Sequence, residues 1–154
     1  MRGAALCIAA CAVLLLAACG GGSRLSQDAY RTKLAQIKQE AASAQASVAK
    51  GLQAKTLAEL RGRLDAFADS AQRIGDEVAK LKPPENAEGA NTELSDGLHE
   101  TARATREASK QIKGLHTPRE AISYLAHSPL NKEGARQVDE ALTRLKQLGY
   151  TSGS

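Results

Sequence analysis

The sequence is poor in aromatic residues, with no tryptophan, one phenylalanine and three tyrosines among 154 residues. β-Branched residues are also sparse, and apolar and polar residues do not alternate with the period of two that marks a strand. Alanine, glutamine, lysine, glutamate and leucine dominate the chain from Ser26 onward. These absences disfavour a β-rich fold, and we predict an all-α protein.

Cysteine is confined to the first 19 residues, at Cys7, Cys11 and Cys19. The rest of the chain therefore has no disulfide framework, no cysteine-ligated zinc site and no cysteine nucleophile. We expect side-chain packing alone to hold the fold together.

An excess of one charge is also missing, because 21 basic and 17 acidic residues leave a net charge of +4. Such a balanced chain with few aromatic residues is not typical of a nucleic-acid-binding protein. The length is that of one domain, which disfavours a multidomain enzyme.

Motifs of known catalytic classes are absent: the chain has no G-x-S-x-G, no P-loop and no H-E-x-x-H pattern. His116 precedes a predicted helix cap and His127 is expected in a loop, so neither is a candidate ligand or base. We predict a non-enzymatic protein with no catalytic residue, no cofactor and no metal ligand.

One alternative function rests on the predicted third helix, where Asp96 and His99 are spaced i, i+3 as in the iron-binding pairs of ferritin-like bundles. Such sites need a second pair and further inward carboxylates, but the first predicted helix offers only two carboxylates. We therefore expect a solvated polar face at His99. Thr101 and Thr105 could line a polar ligand cavity, but threonine in a helix usually bonds back to the carbonyl four residues earlier. A small-ligand or metal-binding bundle remains the alternative.

The N-terminal segment has the pattern of an export signal. Arg2 gives a short positive start, and residues 4–18 carry no charge. About 16 apolar residues reach roughly 24 Å as a helix, less than the roughly 30 Å of a hydrocarbon core. We therefore predict a cleaved signal rather than a membrane span.

This segment ends in Leu16-Ala17-Ala18-Cys19, which resembles the lipobox of bacterial lipoproteins. The resemblance implies that signal peptidase II recognises Leu16, Ala17 and Ala18, and that Cys19 is lipidated and becomes the first mature residue. Gly20-Gly21-Gly22-Ser23 then forms a flexible spacer. The alternative is an ordinary secretory signal cut after Ala18, which would leave an unpaired thiol at Cys19.

Apolar residues spaced alternately three and four apart predict two strong helices. Ser26 caps the first, which ends at Gly51, and a capping box of Thr56 and Glu59 opens the second, which Pro83 ends. The predicted buried positions are Tyr30, Leu34, Ile37, Ala41, Ala44 and Val48 in the first, and Leu57, Leu60, Leu64, Phe67, Ala71, Ile74, Val78 and Leu81 in the second.

Three further helices are predicted beyond the two prolines. The third starts at Pro84 and runs to about Lys113, Thr117 caps a short helix, and the last runs over about 130–148. Their predicted buried positions are Leu94, Leu98, Thr101, Thr105, Ala108, Ile112 and Leu115 in the third helix, and Val138, Leu142, Leu145 and Leu148 in the last.

Short connections make neighbouring helices antiparallel, so we predict an up-down bundle of three long helices plus a broken fourth. The chain then divides into a signal peptide (1–18), a lipidated cysteine with its spacer (19–25), the bundle (26–149) and a flexible tail (150–154). The first helix is net positive and the third net negative, which favours packing them side by side. Large aliphatic residues are few, so we expect a modestly stable bundle or one that a partner completes.

The opening Leu25-Ser26 with Tyr30, and the hairpin Leu81-Lys82-Pro83-Pro84, resemble small helical lipoproteins of high-GC Gram-positive bacteria. The resemblance implies a location and a helical fold rather than an activity. Members of that group often carry further cysteines in the mature helices, whereas this chain has none.

We therefore expect a lipid-anchored protein at the extracytoplasmic face of the cell membrane. It would present an interaction surface to another envelope component, protein or polymer, and would bind no nucleic acid. The basic residues nearest the anchor either lie against anionic headgroups or form a solvated helix face; they are Arg24, Arg31, Lys33 and Lys38.

Overall fold

The computed structural model describes residues 23–51, 53–128 and 132–151. These residues form helices and, within those ranges, no strand, which confirms the all-α prediction. The helices are α1 (Gln27–Gly51), α2 (Leu57–Lys80), α3 (Glu88–Gln111), α4 (Pro118–His127) and α5 (Lys132–Gln147), with short 3-10 turns at Glu85–Ala87 and Ile112–Gly114.

Threonine caps set the starts of α2 and α4, as predicted. Thr56 Oγ1 accepts a hydrogen bond from the Glu59 amide at 3.1 Å, and Thr117 Oγ1 accepts one from the Glu120 amide at 3.2 Å. The Glu59 carboxylate in turn accepts from the Lys55 amide, one residue before the cap. Each cap satisfies an amide that the first turn of a helix leaves without a partner.

Pro84 does not open α3, contrary to the prediction. Its backbone is extended, with ψ of 149°, and a 3-10 turn separates it from α3, which begins at Glu88. Pro84 instead caps this turn, and its carbonyl accepts a hydrogen bond from the Ala87 amide at 2.9 Å.

The bundle is organised around an antiparallel hairpin of α2 and α3. Helix α1 packs along α2, and α5 packs along α3. We call the end of the bundle at Pro83 and Pro84 the proline end and the opposite end the distal end. Ala121 of α4 joins Leu60, Leu64 and Ile112 in a small apolar cluster at the distal end. The main core consists of Tyr30, Leu34, Ile37, Ile74, Val78, Ala87, Ala90, Leu94, Leu98, Ala141, Leu145 and Tyr150.

The predicted pairing of α1 with α3 along their lengths is wrong. The direct links between these two segments that the structure describes lie near the proline end, where Arg24 pairs with Glu88 at 2.8 Å and Tyr30 bonds to Asn91. Exposed charge pairs contribute only tenths of a kcal/mol, so the apolar surface of α2 decides where α1 packs.

Two glycines allow close contact between α3 and α5. A Cβ atom on Gly134 would lie 2.7 Å from the Thr101 backbone nitrogen, and one on Gly97 would lie 2.9 Å from the Val138 backbone nitrogen. Neither contact is possible for a larger residue without separating the helices. This crossing turns Gly134, Ala141 and Leu145 of α5 toward the core.

Because of this crossing, the buried face of α5 differs from the predicted one. Leu142 and Leu148, which we expected to be buried, are each 39% exposed. Tyr150, assigned to the flexible tail, is 3% exposed because Gly149, at φ 79°, turns the chain so that the Tyr150 amide donates to the Leu145 carbonyl at 2.8 Å. The ordered bundle therefore includes Tyr150, while residues 152–154 lie outside the described ranges.

Candidate functional site: an apolar groove between α1 and α5

Helices α1 and α5 leave a groove between them whose floor is formed by α2 and α3. Its volume is about 770 Å³. We call it the α1/α5 groove. Its apolar lining comes from all four helices and includes Leu34, Ile37, Ala41, Phe67, Ala71, Ile74, Leu94, Leu98, Val138 and Leu142. Concave, mostly apolar sites of roughly 300–1,000 Å³ are the usual form of small-molecule binding sites.

The groove exists because the first half of α1 is packed and the second half is not. Leu34 and Ile37 are buried, whereas Ala41, Ala44 and Val48 are only half-buried. The predicted buried positions of α1 are thus correct for its first half alone. Alanine side chains bury little area, so the second half of α1 leaves space beside it instead of filling a core.

Contacts with the segment after α5 hold α1 in place at the proline end. The rings of Tyr30 and Tyr150 meet edge to face at a centroid distance of 5.2 Å. Arg31 Nε donates to the Gly149 carbonyl at 2.9 Å, and the guanidinium lies 5.9 Å from the centre of the Tyr150 ring. These contacts fix the position of α1 relative to the end of α5.

Several apolar side chains remain accessible inside the groove. Phe67, the only phenylalanine of the chain, is half-buried and lines the floor, and Val138 is half-buried in the α5 wall. Leu142 projects from the same wall and is 39% exposed. A ligand that covers these groups removes apolar surface from water, which favours binding.

The charged lining residues of the groove are Lys38, Asp139 and Lys146. Every ion pair in the described ranges involves other residues, so neither lysine has an acidic partner there. Sequence inspection singled out Lys38 only as a basic residue near the anchor. It could not place Lys146 in the same site, because the two lie on helices far apart in the sequence.

A buried polar network fixes α1 to the central hairpin. Tyr30 Oη donates to Asn91 Oδ1 at 3.0 Å, and Asn91 Nδ2 donates to the Val78 carbonyl at 3.0 Å. Burial, with a smaller contribution from Tyr150, raises the pKa of Tyr30 well above its ordinary value of 10.0. The network thus holds a neutral phenol and positions the α1 wall of the groove.

His99 pairs with a carboxylate on α2, not with Asp96. Its Nε2 lies 2.9 Å from Asp76 Oδ1, which also accepts from Gln72 Nε2 at 3.2 Å. The hydrogen bond from His99 is the main reason that the pKa of Asp76 lies below its ordinary value. His99 is half-buried, so the expected solvated face is a helix-to-helix contact instead, and Gly75 provides the space for its ring.

The two threonines of the alternative function, and His127, have simple structural roles. The hydroxyls of Thr101 and Thr105 each donate at 2.8 Å to the carbonyl four residues earlier, as expected. His127 is the last residue of α4 rather than a loop residue, and its Nδ1 lies 2.8 Å from the Ser123 carbonyl. In the described parts of the chain, no group of three or more His, Cys, Asp or Glu residues could hold a metal ion.

The predicted lipidation site Cys19 and the recognition residues Leu16, Ala17 and Ala18 lie outside the described ranges. The chain that follows them enters the bundle at the proline end. There the Leu25 amide donates to the Lys82 carbonyl at 2.7 Å, and Arg24 Nη1 donates to the Pro83 carbonyl at 3.1 Å. Arg24 and Leu25 therefore belong to the folded part rather than to the spacer.

No described helix is long and apolar enough to cross a membrane. The chain matches no family model, no curated protein and no solved structure. Its function is therefore inferred from the groove and from the sequence pattern at the N-terminus.

Proposed function

We propose that this chain is a non-enzymatic lipoprotein anchored through Cys19 at the extracytoplasmic face of the cell membrane, and that the α1/α5 groove binds another component of the cell envelope. The observation that carries the binding role is the groove itself. It is open and apolar, and it holds two lysines that no described acidic residue pairs. In a small bundle such accessible apolar surface favours a binding function.

The pattern of residues 1–19 supports the anchor, and the path of the chain is compatible with it. From Cys19 to Arg24 the chain can reach at most about 17 Å. Since Arg24 is hydrogen-bonded at the proline end, lipidation of Cys19 would hold that end close to the bilayer.

The polar groups between the helices support a role other than catalysis. Ser95 Oγ donates to the Gly75 carbonyl at 3.1 Å, Asn91 links Tyr30 to α2, and His99 bonds to Asp76. Each of these groups connects two helices, and that role accounts for its position in the bundle.

Cell fractionation tests the anchor. We expect the wild-type chain in the membrane pellet and Cys19→Ser in the soluble fraction. Cys11→Ser is the matched control, because it removes a cysteine from the segment that the proposal assigns to the cleaved signal. If Cys19→Ser sediments with membranes as the wild type does, the anchor is wrong.

Photocrosslinking in whole cells tests the groove. A photoreactive residue at position 142 faces the groove, and one at position 148 is equally exposed but lies outside it. We expect position 142 to capture an envelope component that position 148 does not. Identical or absent products from both positions would contradict the groove as the binding surface.

A further inference from the structure

We propose that the α1/α5 groove binds a fatty acid, with the acyl chain along the apolar floor and the carboxylate at Lys146. This inference rests on the proposed function, because it names the ligand class of the same groove. Its support comes from the size, the lining and the charge of the site.

The dimensions of the groove are compatible with an extended acyl chain. From Leu34 to Gln45 the α1 wall rises by roughly 16 Å at 1.5 Å per residue. The volume of about 770 Å³ is within the usual range of small-molecule binding sites.

The lining of the groove suits a ligand that makes no hydrogen bonds along its length. Apart from Phe67 and Val138, the apolar lining of the groove consists of leucine, isoleucine and alanine side chains. Thr101 also lines the groove, but its hydroxyl already donates to the Gly97 carbonyl at 2.8 Å. An acyl chain would therefore leave the Thr101 hydroxyl with its hydrogen-bond partner.

The charges indicate which end holds the carboxylate. Lys146 and Thr151 line the groove at the proline end, near Leu34. Asp139 lies two turns earlier in α5, about 10 Å along the helix, where it would repel an anionic head. Lys38 adds a second positive group on the α1 wall, and the long lysine stems let both ammonium groups reach a carboxylate.

A binding titration with hexadecanoate tests the proposal. The protein is the full chain carrying Cys19→Ser, purified without detergent. We expect saturable binding of one molecule per chain. Leu142→Glu should weaken it about tenfold or more, the factor that corresponds to losing the burial of one leucine. Leu148→Glu is the matched control, because both leucines are 39% exposed and only Leu142 lines the groove.

The head group is tested by replacing one charge at a time. Lys146→Gln should lower the affinity for hexadecanoate and leave the affinity for hexadecanol unchanged. Lys33→Gln removes an exposed lysine of α1 that does not line the groove, and should change neither.

Three results would overturn the fatty-acid proposal. The first is no saturable binding by protein that remains helical, and the second is equal weakening by Leu142→Glu and Leu148→Glu. The third is binding to phosphatidylglycerol vesicles without binding to monomeric hexadecanoate, which would assign the lysines to a membrane surface.

Failure of the proposed function is seen separately, in the fractionation of Cys19→Ser and the crosslinking at position 142. A protein captured specifically at position 142 would refute the fatty acid and leave the groove as the binding surface.

Discussion

The ring of Tyr30 in α1 meets the ring of Tyr150, just beyond α5, edge to face at 5.2 Å with an angle of 74° between the ring planes. Each hydroxyl also donates to an asparagine: Tyr30 to Asn91 in the first turn of α3 at 3.0 Å, and Tyr150 to Asn86 in the preceding 3-10 turn at 2.8 Å. Two distant parts of the chain are thus fixed to one segment. This arrangement sets the separation of α1 and α5 at the proline end.

Tyr150→Ala should therefore destabilise the whole bundle. Tyr150 is 3% exposed, and truncation of a buried aromatic ring costs about 3–5 kcal/mol in the free energy of unfolding. Urea denaturation followed by circular dichroism measures the change. Tyr124→Ala is the control, because Tyr124 is 40% exposed and should cost less than about 1 kcal/mol. Similar losses for the two variants would contradict a clamp at Tyr150.

The raised pKa of Tyr30 predicts that the protein loses stability in alkali. This pKa is raised in the folded state, chiefly by burial, so the folded protein keeps the phenol protonated while the unfolded chain ionises near pH 10. The contribution of the protonated Tyr30 phenol to the free energy of unfolding is therefore present below pH 10 and is lost as the pH rises further. Unfolding free energies measured across this range should fall more steeply for the wild type than for Tyr30→Phe. Equal slopes would show that another group controls the transition.

The lowered pKa of Asp76 predicts that the protein loses stability in acid. The hydrogen bond from His99, with a further one from Gln72, holds the pKa of Asp76 below its ordinary value. The associated stability is present above about pH 4 and is lost as the pH falls through the lowered pKa. The difference in unfolding free energy between wild type and Asp76→Asn should thus shrink in acid. Asp65→Asn, at an exposed position of the same helix, controls for the loss of one negative charge. A difference that does not change with pH would contradict the pairing.

Gly134 and Gly62 should respond oppositely to alanine. A Cβ on Gly134 meets the backbone of α3, so Gly134→Ala should lower the free energy of unfolding by about 1–3 kcal/mol. No atom lies within 4 Å of a Cβ on Gly62, so Gly62→Ala should raise it by up to about 1 kcal/mol through helix propensity. Thermal unfolding of both variants checks the signs. Stabilisation by both would mean that α3 and α5 do not cross closely.

Local sequence patterns predicted the helices well. The threonine caps of α2 and α4 are as expected, and Leu60, Leu64 and Val78 of the α2 seam are buried. In the third helix the predicted positions Leu94, Leu98 and Ala108 are also buried, but α2 and α5 contact α3 on two sides, so it buries more residues than the pattern predicted. Its buried residues include polar and small ones that a count of apolar residues does not register: Asn91, Ser95, Gly97 and Ser109.

The groove could not be predicted from the sequence. The apolar residues of α1 are evenly spaced along the sequence, and only the three-dimensional packing shows that Ala41 and Ala44 are half-buried and line the groove. The positions of α1 and α5 depend on pairs that are remote in sequence: Tyr30 with Tyr150 for α1, and Thr101 with Gly134 for the packing of α5 on α3. Spacing along one helix carries no information about such pairs.

The proposed location at the cell membrane depends on Cys19. The intact mass of the chain extracted from cell membranes tests this dependence most directly. We predict the mass of residues 19–154 plus covalently bound acyl groups. A chain that retains residues 1–18, or one that begins at Cys19 without acyl groups, would contradict the proposed anchor.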